Sequence, residues 1–228
     1  TKQNVYRVWS SQMIKKAIII GAGESLNDSV LDDLLSYNDE KIAIFSTDRT
    51  LKHVLDMGFT PDKYQMFTCI TEDLIRPIDK FDFLTYFFDN DIVKKYSNDI
   101  TLFTSHVFSR IKEIEEIGFK KRFDFIRHGK KGRILSNIPT INNCGNNVMG
   151  LMGFARIYEI PYISTIGFDM DKTGSWKNLQ NDHEYQLTKK KLFQDYLDYG
   201  YPIYNLTTKG LIHGKGVITT TLKEFMKL

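Results

Sequence analysis

The sequence predicts an α/β fold in which a mostly parallel sheet carries helices on both faces. A β-branched apolar run at residues 17–20 precedes a glycine-rich break and then apolar residues at helical spacing. A second strand-then-helix unit follows at residues 41–57, and a strong strand at 162–166 ends in Gly-Phe-Asp. Because consecutive parallel strands must be joined by a long crossover, usually a helix, this alternation is typical of a parallel sheet.

The first helix is expected to begin at Ser25, a residue type that caps helix N-termini, and to reach about residue 37. The second helix is expected to end at Gly58. Further strands are predicted at residues 64–69, 82–87, 100–103 and 123–126, and a charged helix at 106–117. A polar loop is predicted over residues 127–143.

The last third of the chain repeats the alternation. It predicts a helix at 146–160, the strand at 162–166, a helix at 183–199, a strand at 203–206 and a closing helix at 219–226. No repeat or linker interrupts the pattern, so residues 1–228 are expected to form one Rossmann-like domain. The chain starts at Thr1 without a Met, which leaves open that the domain belongs to a longer protein.

Composition excludes several classes of protein. With 42% hydrophobic residues the chain is not disordered, and no apolar run approaches the roughly 18–20 residues of a membrane helix. The net charge of +3 gives no reason to expect nucleic acid as a partner. Two cysteines form neither a disulfide framework nor a metal motif, and a cytoplasmic location is expected. A homo-oligomer is compatible with all of this.

Three segments are candidates for a nucleotide-binding site. The first loop contains Gly21, Ala22, Gly23 and Ser25, where small residues would let the backbone approach a phosphate at a helix N-terminus. The second contains Asn142, Asn143 and Asn146, whose amides can bind a base or a ribose. The third contains Gly167 and Asp169 at a strand's carboxyl end, where ligands bind in open α/β sheets. Each segment also has a purely structural interpretation. The first would be an ordinary tight turn between strand and helix, the second a helix cap, and the third a residue that caps the turn after it.

His183 is the candidate catalytic residue. It opens a helix after a polar loop, where an imidazole with a pKa near neutrality can act as a general base. The alternative is a surface or capping histidine. A basic loop at residues 127–133 could hold a phosphate or be plain solvated surface, and no cluster has the spacing of metal ligands.

Three blocks resemble known enzymes. Residues 17–26 (AIIIGAGESL), residues 145–170 with their ISTIGFDM strand, and His183 followed by residues 204–207 (YNLT) are similar to two related groups. One is the Campylobacter-type bacterial sialyltransferases. The other is the 6-hydroxymethylpterin diphosphokinase-like family, which includes the motility accessory factors.

The resemblance implies a nucleotide-dependent transferase, with a sialyltransferase-like glycosyltransferase favoured. The donor would be a nucleotide sugar, preferably of CMP type, and the acceptor a small molecule or a glycan. His183 matches the catalytic base of the sialyltransferases. The first alternative is diphosphokinase chemistry with ATP and Mg²⁺, for which Glu72, Asp73 and Asp169 are the candidate ligands. The second is a nucleotide-binding module without catalysis. No cofactor is certain in the leading interpretation.

Overall fold

The computed structural model describes residues 14–37, 41–70, 90–105, 111–127, 140–141, 147–169, 202–207 and 212–228. Within these ranges nine strands form one sheet, and every pairing between them is parallel. The strands are β1 (Lys16–Ile20), β2 (Ile42–Thr47), β3 (Gln65–Ile70), β4 (Thr101–Ser105), β5 (Lys121–Arg127), β6 (Thr140–Ile141), β7 (Tyr162–Ile166), β8 (Ile203–Asn205) and β9 (Val217–Thr219). The helices are α1 (Asp28–Leu35), α2 (Asp48–Asp56), α3 (Asp91–Tyr96), α4 (Ile111–Ile117), α5 (Asn147–Ile157) and α6 (Leu222–Phe225).

The strand order reverses beside β1. The sheet runs β6-β5-β4-β3-β2-β1-β7-β8-β9, so the chain builds outward from β1 to β6 and then returns to place β7 on the other side of β1. In open α/β sheets the connections from two such neighbouring strands leave toward opposite faces, and their carboxyl ends form a crevice. The reversal therefore puts the loops after β1 and β7 at the position where ligands bind in folds of this class.

Side chains that alternate along the strands bury two apolar layers. On one face, Ile18 and Ile20 of β1 belong to a cluster with residues of α1, α2, α3, α4 and α6. On the other face, Ala17 and Ile19 belong to a cluster dominated by α5. A strand buried on both sides is expected to be largely apolar, as β1 is from Ala17 to Ile20. The predicted α/β fold, with helices on both faces, is confirmed.

Ser25 is not the N-cap of α1, contrary to the prediction. Asn27 takes this position, and its side chain accepts a hydrogen bond from the backbone N–H of Val30 at 3.0 Å. Both residue types cap helices well, so local preference could not choose between them. A tertiary contact keeps Ser25 out of the cap position, because its hydroxyl donates to a carboxylate distant in sequence.

Two short strands at the edges of the sheet were not predicted from the sequence. β6 lies inside the segment predicted as a loop over residues 127–143, and β9 includes Thr219, which was predicted to open the closing helix. That helix, α6, begins at Leu222, after the N-cap Thr221. Strands of two and three residues present too few side chains for an alternating pattern to be recognised.

Several predicted segments lie outside the described residues. They are the strand at 82–87, the helix at 183–199 and the start of the helix at 106–117. Among the residues that are described, no helix is both long and apolar enough to cross a membrane.

Candidate functional site

The loops that follow β1 and β7 are hydrogen-bonded to each other. The backbone N–H of Gly21 donates to the carbonyl of Ile166 at 2.8 Å, and that of Gly23 donates to the carbonyl of Gly167 at 2.7 Å. Two segments that the sequence analysis selected separately therefore meet at the reversal of strand order. Here the structure brings together Gly21, Gly23 and Gly167 from two segments that are far apart in the sequence.

Asp169 anchors the first loop. Its Oδ2 accepts a hydrogen bond from the backbone N–H of Ser25 at 2.7 Å, and its Oδ1 accepts one from the Ser25 hydroxyl. Asp169 is only 3% exposed to solvent. Hydrogen bonds to an ionised acceptor are roughly twice as strong as neutral ones. The carboxylate predicted to cap its own turn or to contact a ligand thus holds the loop 144 residues earlier.

The close approach of the two loops requires glycine at three positions. A Cβ on Gly21 would lie 2.4 Å from the carbonyl oxygen of Gly167, and one on Gly23 would lie 2.7 Å from the same atom. Gly167 itself has φ +65°, and a Cβ there would lie 2.5 Å from the Gly21 oxygen. These glycines are explained by loop packing alone, without a phosphate. Ala22 lies between them and is half-buried.

The charge around α1 is unfavourable for an anion. Asp28 occupies the first turn of α1, and its Oδ1 lies 2.7 Å from Nε2 of His53 on α2. An acidic side chain in this position already interacts with the positive end of the helix dipole. Glu24 adds a second, exposed carboxylate to the loop. A phosphate at α1 would therefore need compensating cations from elsewhere.

A second contact at the same edge of the sheet was missed in the sequence analysis. Asp48 directly follows β2, and its Oδ1 accepts hydrogen bonds from Nδ2 of Asn147 and from the backbone N–H of Arg49, both at 2.9 Å. Asp48 is 7% exposed. The pair joins the start of α2 to the start of α5, which come from distant parts of the sequence. A carboxylate immediately after the second strand was the signal available for Asp48.

Two further contacts place the Asp48–Asn147 pair beside the glycine loop. The hydroxyl of Thr50, in the first turn of α2, donates to the carbonyl of Ile20 at 3.1 Å. A Cβ on Gly21 would lie 2.9 Å from Cγ2 of Val148, the second residue of α5. The carboxyl ends of β1, β2 and β7 and the N-terminus of α5 therefore surround one region of the sheet edge.

Cys69 in β3 lies next to this region and is protonated at neutral pH. Burial raises the pKa of its thiol well above the ordinary value, and the negative charge of Asp48 raises it further. The thiol group donates a weak hydrogen bond to the backbone carbonyl of Asn147 at 3.8 Å. Because the thiolate is the reactive form, this cysteine is not a candidate nucleophile.

The polar residues of the YNLT segment at 204–207 are held by hydrogen bonds within the protein. Oδ1 of Asn205 accepts hydrogen bonds from the backbone N–H and the hydroxyl of Thr207, and its Nδ2 donates to the carbonyl of Ile212 at 3.1 Å. These three bonds hold the chain where it leaves β8. Both polar residues are buried.

Several predicted site residues lie outside the described residues, so their predictions stay predictions. They are Glu72, Asp73, Asn142, Asn143, Asn146 and His183. Residues 128–133 of the basic loop fall outside as well. Within the described ranges, no group of three His, Cys, Asp or Glu side chains could hold a metal ion.

At this edge of the sheet the described residues present two buried carboxylates and an amide, each hydrogen-bonded within the protein. Comparison with known proteins adds no relative: no family model, no curated protein and no solved structure matches the chain. The resemblance to the sialyltransferases and the pterin diphosphokinase-like family therefore stays a prediction. The class that the fold defines is an α/β protein with a parallel sheet whose strand order reverses between β1 and β7.

Proposed function

We propose that this chain is a nucleotide-dependent transferase, and specifically a glycosyltransferase similar to the bacterial sialyltransferases. It would transfer a sugar from a nucleotide sugar, with a CMP-type donor favoured, to a hydroxyl of a small molecule or glycan. The observation that supports this proposal is the meeting of the loops after β1 and β7 at the reversal of strand order. This is the position at which open α/β sheets bind nucleotides.

In the proposed site, the nucleotide lies across the crevice. Asn142, Asn143 and Asn146, which precede α5, would contact the base and ribose, and Asn147 at the start of α5 already contacts Asp48. Asp169 would act by fixing the loop that faces the phosphate, since its carboxylate holds Ser25. The phosphate charge would be balanced by the basic loop at residues 127–133, because α1 carries an acidic first turn.

The proposed reaction is a displacement at the anomeric carbon. His183 would take the proton of the acceptor hydroxyl as its oxygen bonds to that carbon. The bond from the carbon to the phosphate oxygen would break, and the nucleotide would leave with the bonding electrons. The transition state would resemble an oxocarbenium ion, as in glycoside hydrolysis. A positioned general base contributes roughly 10²–10⁴-fold to the rate.

The variant His183→Ala tests this assignment. We expect it to lower the rate of transfer from CMP- or UDP-sugars by roughly 10²–10⁴-fold, with little change in donor binding. The matched control is His213→Ala, because His213 is an exposed histidine outside the three predicted binding segments and its loss should leave the rate unchanged. Near-full activity of His183→Ala would disprove the role of His183.

A thermal-shift panel of CMP, UMP, GMP and ATP, with and without Mg²⁺, tests the nucleotide class. A ligand that binds only the folded state raises its stability by RT ln(1 + [L]/Kd). We expect the largest shift with CMP. A shift with ATP and Mg²⁺, together with pterin-dependent release of AMP, would instead support the diphosphokinase alternative. Binding without turnover of any donor would support a non-catalytic module.

A further inference from the structure

A cleft of about 290 Å³ lies at the edge of the sheet opposite the loops that follow β1 and β7. Its lining includes Gln65, Thr101 and Lys121, which are the first residues of β3, β4 and β5. Thr101 pairs with Phe67 and not with Gln65, so β3 extends beyond β4 and leaves a step at the amino ends of the strands. The volume is at the lower end of the range for ligand sites and suits a small metabolite.

Two polar side chains in the cleft have no partner among the residues that the structure describes. Thr101 is 2% exposed, and its hydroxyl makes no hydrogen bond to these residues. Oε1 of Gln65 is buried and accepts no hydrogen bond from them. Such groups are rare in folded proteins, because each has given up its bonds to water. A turn about the last side-chain bond of Gln65 brings either end of the amide to the cleft, so hydroxyl and amide can both donate and accept there.

Charged side chains of both signs line the solvent side of the cleft. Nζ of Lys121 lies 3.9 Å from Oδ1 of Asp99, and it donates to the Asp99 carbonyl at 3.4 Å. Both side chains are about half-exposed, and the exposed Asp62 adds a second carboxylate to the lining. A separation of 3.9 Å is too long for a hydrogen bond, so both charged groups keep the capacity for another partner. A small molecule that carries an ammonium and a carboxylate together complements this arrangement.

We propose that the cleft binds a free α-amino acid with an uncharged polar side chain. The carboxylate of the amino acid lies against Lys121, and its ammonium lies against Asp99 and Asp62. Its side chain reaches the hydroxyl of Thr101 and the amide of Gln65. A carboxamide side chain is the best match, because it too offers both a donor and an acceptor. The site is independent of the proposed function, since the cleft and the loops after β1 and β7 lie at opposite edges of the sheet.

The test follows backbone amide resonances by NMR while L-glutamine is added at millimolar concentration. We expect saturable shifts at Thr101 and Lys121, and none at Gly23 on the opposite edge of the sheet. L-Methionine has a side chain of similar length without the amide, and N-acetyl-L-glutamine lacks the ammonium. Each should bind about 2- to 10-fold more weakly, the value of one neutral hydrogen bond or one exposed ion pair. The proposal is overturned if none of the three compounds shifts Thr101 and Lys121, or if either analogue binds as well as L-glutamine.

The variant Thr101→Val distinguishes a ligand contact from a structural contact. It replaces the hydroxyl by a methyl group of similar size, so the unliganded protein should keep or raise its melting temperature, because a buried unpaired hydroxyl is removed. The affinity for L-glutamine should fall about 2- to 10-fold, and the affinity for L-methionine should stay the same. An unchanged affinity for L-glutamine overturns the role of the hydroxyl. A variant that fails to fold overturns it too, since the hydroxyl would then have a partner within the protein.

A second variant, Asp99→Asn, tests the contact with the ammonium at an exposed position where folding should be kept. We expect the affinity for L-glutamine to fall about 2- to 5-fold, the range of an exposed ion pair. The matched control Asp32→Asn removes an exposed carboxylate on α1, outside the cleft, and should keep the affinity of the wild-type protein. Equal affinities of the two variants would refute the assignment of Asp99.

Discussion

Gly167 combines two constraints that can be separated by experiment. Its backbone has φ +65°, and an added Cβ would lie 2.5 Å from the carbonyl oxygen of Gly21. Gly58 shares the first constraint, with φ +100°, but an added Cβ there meets nothing within 4 Å. The pair therefore distinguishes the cost of backbone strain from the cost of pushing the two loops apart.

We predict that Gly58→Ala lowers the free energy of unfolding by about 1–2 kcal/mol, the cost of a left-handed backbone for an L-residue. Gly167→Ala should lower it by about 2–5 kcal/mol, since overpacking against a backbone atom adds to that strain. Urea denaturation of both variants measures the difference. Equal losses would show that the loops separate at no cost, which would contradict the close approach of Gly21 and Gly167.

Three residues that the sequence indicated as ligand contacts instead take part in contacts between the protein's own loops. Gly21 and Gly23 were selected for their ability to approach a phosphate, and in the structure they allow two loops to touch. Ser25 was selected as a helix cap, and in the structure it binds Asp169. Local sequence shows that a small or polar residue is required at each position, but the partner is 144 residues away and has no local signature.

At the scale of elements, α5 ends on a strained residue. Glu159 follows the helix with φ 56°, a left-handed conformation that glycine adopts without cost. Its backbone N–H still donates to the carbonyl of Arg156, and that of Ile160 donates to the carbonyl of Ala155. The helix therefore ends in the usual left-handed turn, with a glutamate in the position that favours glycine.

We predict that Glu159→Gly raises the free energy of unfolding by about 0.5–1 kcal/mol, because it removes the left-handed strain. The same substitution at Glu115, an exposed residue within α4, should lower it by about 1 kcal/mol, since glycine is unfavourable in a helix interior. Thermal and urea unfolding of the two variants give the comparison. A loss of stability at both positions would mean that contacts of the Glu159 side chain outweigh the strain.

Long apolar elements were predicted well, and short edge elements were not. β1 is apolar after Lys16, and β7 is a buried strand rich in β-branched residues that ends at Gly167, so both were located within one residue of their observed bounds. β9 has three half-exposed or exposed residues, and β6 has only two residues in all. Such strands depend on pairing with a neighbour already in the sheet, which a local pattern does not contain.

At the scale of the whole molecule, burial of Cys69 links stability to alkaline pH. Its pKa is raised in the folded protein, first by burial and then by Asp48, above the ordinary value of 9.0. The unfolded chain therefore loses this proton first as the pH rises. The contribution of Cys69 to stability is complete below pH 9 and declines above it. Tyr64, whose pKa is also raised by burial, acts in the same direction above its ordinary value of 10.0.

We predict that the free energy of unfolding falls above pH 9 with a contribution from Cys69 that approaches about 1.4 kcal/mol per pH unit. In Cys69→Ala the slope between pH 9 and 10 should be smaller by about 1 kcal/mol per pH unit, because the unfolded thiol is still partly protonated there and every other titrating group is shared with the wild-type protein. Urea denaturation at half-unit steps of pH measures both slopes. Parallel curves for the two proteins would contradict the protonation state assigned to Cys69.

The sequence by itself determined the class of fold, because buried parallel strands and amphipathic helices impose local apolar patterns of different period. It also indicated the two loops at the reversal of strand order as candidate binding sites, since each follows a strong strand and contains glycine together with an acidic residue. Only the tertiary structure decided which residues meet there. The Ser25–Asp169 and Asp48–Asn147 contacts join segments about 100 residues or more apart, and their geometry follows from strand order. That order depends on how the layers pack, because burial of a whole sheet is a collective property that no single segment encodes.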